Sequence, residues 1–377
     1  LTSYLSSIKT AIVAFPLLAA VITLPFILYQ YHHYGSIHWM RVLIVYAFIF
    51  YMLAAYFLII LPLPDKSNLS LFSFEKHFEP MPFNNTIEYF QKHPFDGTLS
   101  SLLKFFKSFS FLQLAFNTLM TVPFGIFLRY YFKYSLKKTV LFSFLLSLFY
   151  ELTQLSGLYG YYPAPYRTFD ADDLICNTLG GTIGWVIAPI FTFFLPSRRH
   201  LDSQSIARSV NVSFLRRAAA DSVDFLLYLL VYSAFQLILL QFNLHLSGDY
   251  AMDLFLLIMW LYALLGHGVS PGKIICNLQV AGSDQKPASF WKITLRYGLL
   301  ALLFASVTLS ASAGQSTGIL QTVLDLINLL SVIVWVIFFG EIILRIFKPQ
   351  HPYWYEKISR TMIVSTIDPG KKEPLPE

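Results

Sequence analysis

Apolar residues along this chain come in nine long stretches, centred in 9–30, 42–63, 110–129, 138–158, 174–196, 222–244, 250–267, 296–313 and 322–346. Each is close to the about 20 residues that a helix needs to cross a bilayer core. The fourth, seventh and ninth are interrupted by acidic residues. A polar, Ser-rich and basic segment near 197–215 separates the first five stretches from the last four. The pattern predicts an all-α polytopic membrane protein of about nine transmembrane helices in two blocks. The boundaries expected are 1–197 for the first block, 198–215 for a cytoplasmic linker, 216–365 for the second block and 366–377 for a tail. The first stretch, Ala11 to Tyr29, has no charge and no A-x-A cleavage pattern. It is expected to remain as a spanning helix rather than to be removed as a leader.

The connecting segments give an independent test of this reading. Segment 129–138 carries Arg129, Lys133, Lys137 and Lys138 with no acid, and 197–217 carries Arg198, Arg199, Arg208, Arg216 and Arg217 against Asp202. Segment 267–296 carries Lys273, Lys286, Lys292 and Arg296 against Asp284, and Arg345, Lys348, Lys357 and Arg360 follow the ninth stretch. The segments between these are acidic, balanced or uncharged: Asp170, Asp172 and Asp173 face Arg167, Asp249 and Asp253 stand alone, and 313–321 has no charge. Such alternation follows when basic loops stay cytoplasmic. It predicts an outside N-terminus and a cytoplasmic C-terminus. Segment 64–108 is then external, and its patches (Leu71, Phe72, Phe74, Tyr89, Phe90, Phe105 and Phe106 among them) suit short helices lying on the outer membrane surface.

Composition agrees. Hydrophobic residues make up 56% of the chain and charged residues only 13%, about half the share usual in soluble proteins. A bilayer is the solvent that such a chain needs, and membrane lipids are its first partners. The net charge of +6 sits in short loops, so it reads as an orientation signal and not as a nucleic-acid footprint. Cys176 and Cys276 fall near opposite faces of this topology, which disfavours a disulfide. No CxxC or Cys/His metal spacing occurs, and neither a metal nor a cofactor is expected.

Ionisable groups inside a membrane are costly unless paired or wet, which makes them site candidates. The densest set runs from Ser147 to Gly184. Ser147, Glu151 and Gln154 line one face of the fourth stretch, and Asp173, Asn177, Gly180 and Gly184 form a stripe on the fifth. Gly180 and Gly184 make a GxxxG, for which the sequence neighbour, the fourth stretch, is the expected partner. Asn117 adds a polar group to the third stretch beside Pro123. Several carboxylates this close need a cation, and Arg167 supplies one suited to two-pronged bonding of carboxylate or phosphate. Three uses remain open: a loop staple through Arg167, a ligand-binding or catalytic pocket, or a divalent metal on Asp170, Asp172 and Asp173, whose spacing fits no strong ligand motif.

The stretch FNTLMTVPFGIFLRYYFKYSLKK (116–138), SLFYELTQLSG (147–157) and YRTFDADDLICNTLGGTIGW (166–185) resembles the VanZ family, over about residues 10–195. The matching positions are Glu151, Gln154, Arg167, Asp170, Asp172, Asp173 and Asn177. The resemblance implies a multi-pass protein of the bacterial plasma membrane, associated with resistance to glycopeptide antibiotics such as teicoplanin. The segment GHGVSPGKIICNLQVAGSDQKPASFWKITLRYGLL (266–300), with WYEKISRTMIV (354–364), resembles the RDD family over about residues 208–365. Here Arg217 and Asp224 stand two turns apart on one face as an Arg–Asp pair, and Lys273, Arg296 and Arg345 are possible partners for the deeper Asp224. The chain departs from the family at Glu356, where Asp is common, and at Gly282, which puts a role for the later aspartate in doubt.

Three functions follow as expectations. The first is a non-enzymatic factor acting at the outer leaflet on a glycopeptide or a lipid-linked cell-wall precursor, bound by Asn117, Glu151, Gln154, Arg167, Asp170, Asp172, Asp173 and Asn177. The second is an enzyme on a lipid-linked substrate with Glu151 or Asp173 as acid/base. The third is a transporter or ion exchanger with Asp224, Asp325 and Glu341 as relay groups.

Overall fold

The computed structural model describes residues 2–61, 63, 77–243, 251–312, 319–348, 351–368 and 370. Leu71, Phe72, Phe74 and Asp249, together with most of the tail, lie outside the described residues. The chain is largely helical. Helices α1 (Thr2–Tyr34) and α2 (Trp39–Ile60) lead to strand β1 (Phe78–Glu79) and the short helices α3 (Asn84–Lys92) and α4 (Leu99–Phe106). Then come α5 (Phe109–Tyr130), α6 (Leu136–Leu155), the single turn α7 (Gly157–Gly160), β2 (Phe169–Asp170) and α8 (Ala171–Thr192). After α9 (Arg198–Arg208) follow α10 (Phe214–Gln241), α11 (Ala251–Leu265), α12 (Pro271–Ile275), β3 (Leu278–Gly282), α13 (Phe290–Ser312), α14 (Ile319–Phe347), α15 (Trp354–Ser359) and β4 (Thr361–Ser365).

A helix occupies each of the nine apolar stretches. Among the described residues, five are long and apolar enough to cross a membrane: Ile8–Tyr34, Trp39–Ile60, Phe109–Tyr130, Ala171–Thr192 and Phe214–Gln241. Apolar side chains such as Val13, Leu17, Ile190 and Leu230 stand exposed on these helices, as expected where lipid replaces water. The all-α expectation needs one amendment. Two small sheets are present, β1 paired parallel with β2 and β3 paired antiparallel with β4.

The chain divides into two compact units. The first comprises residues 1–20 and 39–201, and the second residues 21–38 and 202–376, with Glu377 grouped in the first. Residues 21–34 of α1 and the following 35–38 belong to the second unit. The reason is local chemistry: Tyr31 is buried in the core with Val212, Cys276 and Leu278, and Asn277 Nδ2 donates to the carbonyls of Tyr31 (3.0 Å) and His32 (2.8 Å). The segment expected as a linker is also structured, with Leu201 and Ile206 of α9 buried.

In the first unit, α8 packs between α5 and α6. The contact to α5 is parallel and follows a four-residue ladder. Gln113, Asn117, Thr121 and Gly125 of α5 meet Asp170, Asp173, Asn177 and Gly181 in turn. A Cβ at Gly180 would lie 2.0 Å from the Thr118 carbonyl oxygen, and one at Gly184 2.0 Å from that of Val122. The GxxxG partner is therefore α5 and not α6 as expected from sequence order. The neighbouring Gly181 is turned about 100° around the helix axis and lies against Ser143 of α6. Antiparallel α6 supplies its own stripe, Ser143, Ser147 and Glu151, to α8. Short helices α3 and α4 occur within segment 64–108, and their Phe90, Phe105 and Phe106 cluster with Phe111 of α5.

Candidate functional site

A cavity of about 460 Å³ opens among α2, α5, α6 and α8. Of the eight expected ligand-binding residues, Asn117, Glu151, Gln154, Arg167, Asp173 and Asn177 line it. Leu58, Phe116 and Met120 give it an apolar wall.

Each polar side chain is positioned by a helix that the sequence makes for ordinary reasons. Asp170 caps α8, its Oδ1 accepting from the Asp172 N–H at 2.8 Å. Asp172 Oδ1 accepts the Phe83 N–H at 2.5 Å, fastening the segment before α3. These two carboxylates thus organise backbone, and burial pushes the Asp170 carboxyl above its ordinary range. Three acids expected as one cluster are divided by helical rotation, and Asp173 alone of them lines the cavity.

Asp173 Oδ1 accepts from Asn117 Nδ2, and its side chain lies within hydrogen-bonding reach of Glu151. Glu151 is 1% exposed, and its Oε2 also accepts the Asp170 N–H at 3.0 Å. Two carboxyls in such contact repel one another when both are ionised. Ser147 Oγ accepts from Asn177 Nδ2 (2.9 Å) and donates to the Asp173 carbonyl (3.0 Å). Thr121 Oγ1 donates to the Asn177 carbonyl at 2.8 Å. Among the described residues, Asn177 Oδ1 and the hydroxyl of Tyr150, both on buried side chains lining the cavity, have no hydrogen-bond partner.

Arg167 is exposed and donates through Nη1 to the Ile59 carbonyl at 2.9 Å. Gln154 Nε2 donates to the same oxygen at 3.0 Å. Arg167 is therefore docked on the C-terminal end of α2 rather than bonded to Glu151 or Asp170, and the loop-staple alternative takes this form. Among the described residues, Arg167 makes no other hydrogen bond. Sequence reasoning missed Ile59, which acts through its backbone, and Tyr150, whose hydroxyl has no spacing signal. Nearby, Tyr166 has a buried hydroxyl with no partner among the described residues, and burial pushes it up to about 12.

Residues 48–192 match the family model described as VanZ/LLP1, and residues 212–359 match that of the RDD family. The chain joins a VanZ-like region to an RDD region. No curated protein and no solved structure matches it. The VanZ-like match contains every one of the cavity's polar side chains.

In the RDD region, Arg217 and Asp224 share a helix but not a bond. Arg217 Nη1 reaches Glu356 Oε1 at 2.8 Å. Asp224 accepts from Ser270 Oγ (2.5 Å) and from the Gly272 N–H (2.7 Å), and Lys273 Nζ stands 3.6 Å away. Asp224 thus seats the first turn of α12 against α10, and Lys273 is the partner among the three anticipated. A Cβ at Gly272 would lie 2.0 Å from the Ala220 carbonyl, so only glycine fits this crossing. Arg216 is wholly buried and donates to the carbonyls of Ser209, Cys276 and Asn277, a structural staple.

Glu356, the position that departs from the family, is the centre of the RDD unit's charge network. Its Oε1 receives Arg217 and Arg296 (3.3 Å), and its Oε2 receives Arg345 (3.1 Å) and the Tyr353 N–H (3.1 Å). Burial opposes its ionisation, but the three guanidiniums and the N–H outweigh burial and hold the carboxyl down at about 2. Asp284, near Gly282, is exposed in a turn. Of the proposed relay groups, Glu341 accepts the Trp354 N–H at 2.9 Å and Asp325 is exposed on α14.

Proposed function

We propose that the VanZ-like unit binds an anionic headgroup at the outer leaflet of a bacterial plasma membrane, as part of lowered susceptibility to teicoplanin-type glycopeptides. The ligand is the antibiotic itself or a lipid-linked cell-wall precursor. In this reading nine helices span the membrane, the cavity opens outward, and α3 and α4 lie on the outer surface. The observation that supports it is the cavity's division of labour. Arg167 offers guanidinium N–H groups to a phosphate or carboxylate. Glu151, Asp173 and Asn177 offer acceptors to hydroxyl or amide groups, and Leu58, Phe116 and Met120 suit a hydrocarbon chain. The basic loops predicted on the opposite side support the orientation.

The test uses the full chain reconstituted in nanodiscs, with fluorescent teicoplanin and labelled lipid-linked precursor as probes. Arg167→Ala is expected to weaken binding by about tenfold or more, the value of a charge-assisted hydrogen bond. Equal binding by wild type and Arg167→Ala, or no binding of either probe, would overturn the proposal. The contact between Glu151 and Asp173 favours one second reading, an enzyme using this pair for proton transfer to a lipid-linked substrate. Recovery of chemically altered lipid, lost in Glu151→Gln, separates it from the first.

A further inference from the structure

Four carboxyls stand where α6 ends and α8 begins: Glu151, Asp170, Asp172 and Asp173. Apart from the contact between Glu151 and Asp173, their hydrogen bonds come from backbone N–H groups and from the side-chain amides of Gln113 and Asn117. Among the described residues, none of the four makes an ion pair. Arg167, the cation on the cavity wall, is exposed and bonds to the Ile59 carbonyl instead. Carboxylate charge kept out of water is costly unless a cation answers it.

A second observation points into the same space. Ser147 has one hydroxyl hydrogen, and it goes to the Asp173 carbonyl, so Asn177 turns its amide nitrogen toward that hydroxyl. The Asn177 Oδ1 is then left without a donor on a side chain that is 2% exposed. The Tyr150 hydroxyl, equally buried, also has no partner among the described residues. Both side chains line the cavity. A buried acceptor in this state calls for a donor from elsewhere. A proton shared by Glu151 and Asp173 would relieve their repulsion but would leave Asn177 Oδ1 as it is. A cation with several N–H groups answers both needs. A bare metal ion suits the place poorly, because no three His, Cys, Asp or Glu side chains among the described residues are grouped to hold one. About 460 Å³ with Leu58, Phe116 and Met120 on the wall is room for an organic group.

We infer that this cavity binds a protonated primary amine, with Glu151 and Asp173 answering its charge and Asn177 Oδ1 accepting a further N–H. Charge-assisted bonds from N–H to carboxylate are the strong kind. The inference rests on the reading of this cavity as a binding site and names the cationic half of what it takes. With an anion held at Arg167, the ligand is a zwitterion. A lipid headgroup and a free amine share this chemistry.

The test follows melting of the full chain in a neutral detergent. The titrants are ethylammonium, tetramethylammonium and sodium chlorides, and short-chain phosphatidylethanolamine and phosphatidylcholine. Ethylammonium is expected to raise the melting temperature. Tetramethylammonium, which has no N–H, and sodium are expected to leave it unchanged at the same concentration. A larger shift with phosphatidylethanolamine, absent with phosphatidylcholine, supports the site and assigns it to a lipid headgroup. An ethylammonium response that phosphatidylethanolamine does not exceed supports it and assigns it to a free amine. Glu151→Gln keeps the shape and an acceptor for the Asp170 N–H, and is expected to raise the apparent Kd for ethylammonium about tenfold or more. Asp173→Asn, which still accepts from Asn117, is expected to do the same. Ethylammonium carries no anion, so its effect is expected to survive Arg167→Ala. Failure of teicoplanin and precursor binding with this response intact would sink the anion reading alone. No shift with ethylammonium or phosphatidylethanolamine, an equal shift with tetramethylammonium or sodium, or a response unchanged in both Glu151→Gln and Asp173→Asn would overturn the inference.

Discussion

Glu356→Gln is nearly isosteric, so its cost measures the charge and not the shape. The side chain is 2% exposed as a residue and receives three guanidiniums and one backbone N–H. A glutamine has one acceptor oxygen. If that oxygen takes the place of Oε1, the amide NH₂ points its hydrogens at Arg345 and the Tyr353 N–H. If it is flipped, the NH₂ opposes Arg217 and Arg296. Either orientation sets donor against donor and leaves the buried cations with less negative charge. Breaking a buried ion pair on one side costs about 3–5 kcal/mol. The depressed carboxyl leads to a similar figure: held from its ordinary 4.5 down to about 2, it contributes about 3 kcal/mol at neutral pH. That is a large share of a typical stability of about 5–15 kcal/mol. The assay is equilibrium unfolding of the full chain in mixed micelles, followed by tryptophan fluorescence. A Glu356→Gln protein within about 0.5 kcal/mol of wild type, the range of ordinary surface substitutions, would refute the assignment of Glu356 as the network's anchor.

The same carboxylate sets a pH dependence. Its stabilisation is complete above the unfolded value of 4.5 and is lost as pH falls toward about 2, so wild type should melt progressively lower across that window while Glu356→Gln loses less. Gly184→Val should destabilise by about 1–3 kcal/mol or prevent assembly of α5 with α8, because the first added carbon meets the Val122 carbonyl; circular dichroism melting checks it, and an unchanged midpoint contradicts the close approach. Gly272→Ala should cost a similar amount through the Ala220 carbonyl, read by the same melt. Asp172→Ala removes the acceptor for Phe83 N–H and should raise proteolysis near residues 81–83 with a stability loss of about 1–2 kcal/mol; an unchanged cleavage pattern would show that this fastening is dispensable.

Much of this was legible in the sequence because spacing reports helical faces directly. Ser147 and Glu151, or Asp173 and Asn177, are four apart, and both pairs face the contact between α6 and α8 as that periodicity requires. The run of Asp170, Asp172 and Asp173 shows the limit. Adjacency along the chain gave them one role, whereas a helix start assigns two to backbone and one to the cavity. The GxxxG at Gly180 and Gly184 was visible, but not its partner, since two helices flank α8 and sequence order does not say which meets which side. Ile59 was invisible because a carbonyl oxygen has no residue identity. In the RDD unit, Arg217 was found and its partner was not: Glu356 lies 139 residues away, a separation that no local pattern bridges. The helix positions followed from hydropathy, while the short β3–β4 pair depends on contacts between distant segments that periodicity does not encode.

The division of α1 bears on how this protein is made and how it can be cut. Tyr31 and the carbonyls that hold Asn277 leave the ribosome long before residues 202–376, so the RDD unit's core must wait for most of the chain before it closes. Expression of residues 216–365 alone, the natural choice from the sequence boundary, would omit the strip 21–38 and leave a tyrosine-sized gap beside Cys276 and Leu278. A piece designed to be studied in isolation needs that strip supplied, either by a circularly permuted gene or as a co-expressed helix.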